Sequence, residues 1–201
     1  GSVIDFSTLA SFSRPVVRPS LRLLKTAKPP RIPCPRRRPN MHNDPPRIQV
    51  ALLPELLKGS AGKTSATAIV IDTLRFTTTA CQALAAGARS VCVAPTIDAA
   101  RDIAAQYAPP PLLCGERHCH PIPGFDLGNS PLEYVPQRVE GQSLVFTTTN
   151  GTLAVAAARQ TRLNMVLLAG LVNRRAVAQR IQSCGGEFIC VCAGTDGRVA
   201  W

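Results

Sequence analysis

The chain has 201 residues, 45% hydrophobic but only 4% aromatic, so it can bury one sizeable core of Ala, Val, Leu and Ile rather than two. Its net charge of +11 is unevenly spread, with nine Lys/Arg and one acid in residues 1–40 and fourteen Lys/Arg against eleven acids in the rest. A nucleic-acid function would therefore rest on the tail, where no aromatics interleave the charges, and no nucleic-acid partner is expected.

No run approaches the ~18–20 apolar residues of a membrane helix. Residues 1–40 also lack an apolar stretch followed by a small-residue cleavage site, so no signal peptide or membrane partner is expected. The eight cysteines sit in apolar contexts such as Phe188-Ile189-Cys190-Val191-Cys192. That favours buried free thiols and a cytoplasmic protein over a disulfide scaffold. Cys114, Cys119 and His120 have no second pair at zinc-finger distance.

In chain order, residues 1–44 form a basic, Pro-rich extension that cannot bury enough apolar surface to offset its ordering entropy, and they are expected to be disordered. A start at Met41 is the simplest account of this segment; an Arg-rich, acid-poor targeting peptide is the other. Residues 45–201 form the domain. Strands are expected at 47–53, 66–72, 90–94, 112–115, 143–147, 165–169 and 187–192. Helices are expected at 78–88, 97–107 (N-capped by Thr96), 152–159 and 172–183. Residues 116–135 read mostly as loop. This alternation predicts a layered α/β/α fold with a largely parallel or mixed sheet.

Three strands run into small, hydroxyl-rich or acidic segments: Asp72-Thr73-Leu74-Arg75-Phe76-Thr77-Thr78-Thr79, Thr147-Thr148-Thr149-Asn150-Gly151-Thr152 and Ala193-Gly194-Thr195-Asp196-Gly197. The recurrence is what an internal duplication would leave. Ligands of open α/β sheets bind beyond the carboxyl ends of strands. Thr and Gly at a helix N-terminus offer hydroxyls, N–H groups and a positive dipole end to a phosphate. Asp72 and Asp196 would add the hard oxygens that Mg²⁺ requires, and Arg75 a planar fork for an anion. The long loop adds Glu116, Arg117, Asp126, Asn129 and Ser130. Ordinary helix capping is the competing account of each segment alone.

These stretches, with Cys114-Gly115-Glu116-Arg117 and Gly124-Phe125-Asp126-Leu127-Gly128-Asn129-Ser130-Pro131, resemble the 2-phosphosulfolactate phosphatase family in the same order. The resemblance implies Mg²⁺-dependent hydrolysis of 2-phospho-3-sulfolactate to 3-sulfolactate and phosphate, a step of coenzyme M biosynthesis. For such a reaction, Asp72, Glu116, Asp126 and Asp196 are expected to form the pool of metal ligands and general base. Arg75 and Arg117 hold anionic groups. Thr78, Thr79, Asn129, Ser130, Thr148, Asn150, Gly151 and Thr195 surround the phosphoryl or sulfonate oxygens. The sequence departs from the family in two places, with His118-Cys119-His120 where Gly-rich sequence is usual and Phe76 where a small residue is usual. The family also continues beyond the Thr-Asp-Gly segment, so the C-terminus reads as truncated. A non-catalytic anion-binding protein or an inactive remnant is the alternative. The expected partner is a small phosphorylated acid, and small α/β enzymes are often homo-oligomers.

Overall fold

The computed structural model describes residues 46–60, 66–161, 163 and 165–199. The extension 1–44, expected to be disordered, lies outside the described residues, as does the end of the chain at 200–201. The elements run β1 (Arg47–Ala51), a 3-10 segment (Pro54–Ser60), β2 (Thr67–Ile71), α1 (Phe76–Ala85), β3 (Ser90–Val93), α2 (Ile97–Ala104), β4 (Leu112–Arg117) and β5 (His120–Pro121). A second 3-10 segment (Pro131–Glu133), α3 (Pro136–Val139), β6 (Ser143–Thr147), α4 (Gly151–Gln160), β7 (Met165–Ala169), α5 (Arg174–Cys184) and β8 (Glu187–Cys192) complete them.

The α/β fold with largely parallel strands is the one the chain adopts, and its strands divide between two four-stranded sheets. One has the order β1-β8-β2-β7 and is parallel throughout. The other has the order β3-β6-β4-β5, with only the β4–β5 hairpin antiparallel. Alternation along each strand gives each sheet two apolar faces. Val70, Leu168 and Val191 point into the main core, where they join Phe76 of α1, Val155 of α4, and Leu144 and Phe146 of the second sheet. Ile69, Leu167 and Phe188 pack on the other side against Val177 of α5. Cys92 and Val145 pack outward against Ala100 of α2.

Helices α1 and α4 touch strands of both sheets. They form a shared layer, and each is also the connector that carries the chain from one sheet to the other. Their Ala-rich faces allow that close approach. Helix α2 begins at the expected cap, where the Thr96 hydroxyl accepts from Ala99 N–H at 3.1 Å. Its regular turns stop at Ala104 rather than 107, and the chain continues through the tighter bonds Gln106 N–H to Ile103 O and Tyr107 N–H to Ala104 O, both 3.1 Å.

The segment expected as loop holds more structure. Strand β4 continues to Arg117 and folds back on β5 through His118 and Cys119, which take φ of 48° and 64°. That is the two-residue hairpin geometry in which both central residues are left-handed. Tyr134 then anchors the following loop by stacking on Phe146, with centroids 5.4 Å apart, and by donating its hydroxyl to Gly128 O at 2.6 Å.

Candidate active site

The β2–α1 turn is built around Asp72. Its main-chain oxygen accepts from Thr77 N–H at 3.1 Å and from the Thr77 hydroxyl at 2.7 Å. Its carboxylate faces the N–H groups of Phe76 and Arg75 at the start of α1. Burial, reinforced by nearby Glu116, pushes the Asp72 carboxyl above its ordinary value despite those N–H groups and the Arg75 guanidinium. The carboxylate fits because position 151 is glycine: a Cβ there would collide with Asp72 Oδ2 and lie 2.7 Å from Phe76 Cβ.

Glu116, next to last in β4, is a buried carboxylate. Its Oε1 accepts from Thr149 N–H at 2.8 Å. Its Oε2 accepts from Cys119 N–H at 2.8 Å and from the Thr149 hydroxyl at 2.9 Å. The Thr149 oxygen in turn accepts from His118 N–H at 2.8 Å. Burial alone would raise the Glu116 carboxyl. The N–H groups of Thr149 and Cys119, the Thr149 hydroxyl and the Arg117 guanidinium outweigh it and hold the group below its usual value. Gly115, at φ +134°, lets β4 approach β6 here, since a Cβ would run into Thr147 O.

The C-terminal ends of β2, β6 and β8 meet the end of β4 around a cleft of about 230 Å³. It is lined by Asp72, Leu74, Arg75, Glu116, His118, Cys119, Asn129, Thr149, Asn150, Thr195 and Asp196. Asn150 ties two of these loops together, its Oδ1 accepting from Asp196 N–H at 3.0 Å. Asn129 is buried, and its Oδ1 has no hydrogen-bond partner. A larger cavity of about 400 Å³ lies between the first 3-10 segment and α4. It shares only Asn150 with the expected site residues and is lined by Leu57, Leu153, Ala157 and Ala193 among others. The charged groups converge in the smaller one.

The structure thus brings together Asp72, Arg75, Glu116, Asn129, Asn150, Thr195 and Asp196, with Gly151 packed behind Asp72. It separates others. Asp126 lies outside the cleft, where its exposed carboxylate accepts from Leu113 N–H at 2.8 Å. Arg117 turns its guanidinium to Glu116 O, the Thr147 hydroxyl and Pro95 O. The Thr78 hydroxyl donates to Thr73 O at 2.8 Å. Buried Thr79 donates to Arg75 O and to Asn129 O, both at 3.0 Å. Buried Thr148 and Thr152 cap one another. Ser130 precedes the second 3-10 segment without a side-chain cap and does not line the cleft. Among the described residues, no three His, Cys, Asp or Glu side chains form a metal-holding group.

Residues 51–201 match the family described as 2-phosphosulpholactate phosphatase. This chain belongs to that family. A probable 2-phosphosulfolactate phosphatase of Deinococcus radiodurans is 46% identical over 154 residues, which is 76% of this chain and 61% of the relative. Proteins of the same description from Caldanaerobacter subterraneus subsp. tengcongensis and Thermotoga maritima are 42% and 40% identical, each over 66% of this chain and 55% of the relative. The chain therefore spans little more than half the length of these members of the phosphatase family. Among the described residues, no helix is long and apolar enough to cross a membrane.

Four cleft residues escaped the sequence reading: Leu74, His118, Cys119 and Thr149. Thr149 was within reach, since it lies inside the Thr-Thr-Thr-Asn-Gly segment. His118 and Cys119 were hidden because the hairpin turn lacks the Asn-Gly or Asp-Gly signal that marks such turns.

Proposed function

We propose that this chain carries the phosphate-ester site of a phosphoric monoester hydrolase acting on 2-phospho-3-sulfolactate or a closely related small phosphorylated acid. The observation that carries this reading is the convergence of strand-end loops on one cleft of about 230 Å³ at the start of α1. That volume suits a three-carbon acid, and a helix N-terminus suits its phosphate. Water would attack phosphorus, the P–O ester bond would break, and the leaving oxygen would take a proton.

The cleft's own charges favour a cation beside the substrate. Asp72, Glu116 and Asp196 line it beside Arg75, so a multiply charged anion entering alone meets net negative charge. The donors fit Mg²⁺, which takes oxygen ligands and binds through one or two carboxylates plus substrate phosphate and water. Asp72 and the unpartnered Asn129 Oδ1 would hold it. The ion would supply charge neutralisation at the phosphoryl oxygens. Arg75 would clamp an anionic group with its planar fork. Asn150, by holding Asp196 N–H, would keep the third loop against the cleft. Cys81, Cys92 and Cys114 are buried free thiols, whereas Cys184 is disulfide-bonded, which departs from the expectation of free thiols throughout.

The test is phosphate release from 2-phospho-3-sulfolactate, with Mg²⁺ and with chelator. Metal-dependent release that is lost in Asp72→Asn supports the reading. Phosphate binding without any release by a folded sample would favour an anion-binding protein instead.

A further inference from the structure

Both oxygens of the Glu116 carboxylate are taken up by the protein. We propose that it is a positioning residue. It clamps two segments that are distant in the chain, the hairpin turn at His118-Cys119 and the Thr147–Asn150 loop, whose His118 and Thr149 are 31 residues apart. Both segments line the cleft.

The geometry argues this in three steps. First, Oε2 already accepts from Cys119 N–H and the Thr149 hydroxyl, and Oε1 from Thr149 N–H, all at 2.8–2.9 Å. A carboxylate oxygen accommodates about two hydrogen bonds, so Oε2 is saturated and Oε1 keeps one acceptor site. Second, His118 and Cys119 hold φ of 48° and 64° without being glycine. Such backbone persists only where its surroundings over-determine it. The fixing bonds are Cys119 N–H to Glu116 and His118 N–H to Thr149. Third, Thr149 is both donor to Glu116 and acceptor from His118, so the clamp is a closed network. Removing its one charged member frees both cleft walls together.

The kinetic half of the test rests on the phosphatase reading; the other half does not. Glu116→Gln and Thr149→Val are compared with the unchanged chain by hydrogen exchange, by KM and kcat for 2-phospho-3-sulfolactate, and by Mg²⁺ half-saturation. Thr149→Ser, which retains the hydroxyl, serves as the conservative rescue. The expected result is accelerated exchange in both 117–120 and 147–151 in Glu116→Gln and in Thr149→Val, with the other strands still protected. KM is expected to rise about tenfold or more, as misplacement of a cleft wall allows, while Mg²⁺ half-saturation stays within about twofold, the relation expected of a group that does not bind the ion. Thr149→Ser recovers most of the loss. Two results overturn the proposal: Mg²⁺ half-saturation rising about tenfold with exchange unchanged, which would make Glu116 a ligand, or exchange rising in only one segment. Should Glu116→Gln fail to fold, Thr149→Val decides alone. An unchanged chain that releases no phosphate counts against the phosphatase reading, and the exchange data still judge the clamp.

Discussion

The Asp72 carboxylate occupies the space that any side chain at position 151 would need. The two residues belong to different strand-end loops, so one glycine sets how closely the starts of α1 and α4 approach. Gly151→Ala is therefore expected to destabilise the fold by about 1–3 kcal/mol, the usual cost of overpacking. It should also displace Asp72 and depress phosphate release. Denaturant melts and turnover of the same sample check both effects.

Asp72→Asn separates chemistry from folding. Burial already disfavours the charged form of Asp72, so a neutral isostere should leave the melting temperature unchanged or slightly higher. Turnover should disappear. Normal turnover in this variant would remove Asp72 from the site.

Acid stability should depend on Glu116. Its carboxyl titrates below the ordinary 4.5 in the folded chain, so its contribution is fully present above that value. It is lost as pH falls through the lower folded value, where the unfolded chain binds the proton first. Asp72 is shifted the other way and partly masks this trend. In an Asp72→Asn background, Glu116→Gln should flatten the fall of stability below about pH 4.5. Equal slopes with and without Glu116 would contradict the prediction.

Thiol reactivity should favour Cys119 over the buried Cys81 and Cys114. Burial pushes the Cys81 thiol up to about 11 and the Cys114 thiol up to about 12, and the thiolate is the reactive form. Cys119 is exposed at the cleft. At mild pH an alkylating reagent should modify Cys119 well before Cys81 or Cys114, as read by peptide mass. Phosphate or substrate should slow that modification.

Cys119→Gly should stabilise the chain by about 0.5–1 kcal/mol. A left-handed conformation costs a non-glycine residue about 1–2 kcal/mol, and the greater freedom of glycine in the unfolded chain takes back part of that gain. Its N–H remains available to Glu116. Equilibrium denaturation checks the sign.

Much of the fold was legible in the sequence. Strands at 143–147, 165–169 and 187–192 coincide with β6, β7 and β8, because buried parallel strands are short apolar runs with sharp polar ends. Helix α1 starts at Phe76 rather than Thr78. The Thr77 hydroxyl and N–H both close on Asp72 O, which draws the first turn back toward the strand. Asp126 reads as a site residue by its motif, yet its loop returns beside Leu113. That is three residues before Glu116, roughly 10 Å back along the strand.

By itself the sequence determined the main strands and helices, the strand-end position of the Thr/Asp/Gly segments and the family, because these follow from short-range periodicity and local motifs. Only the tertiary structure decided which hydroxyls and carboxylates are free for chemistry. Thr79 is spent on Asn129 O, 50 residues away, and Glu116 on Thr149, 33 residues away. A polar group's availability depends on whether a distant main-chain N–H or C=O has reached it first, and that is a property of packing between elements rather than of any local run of residues.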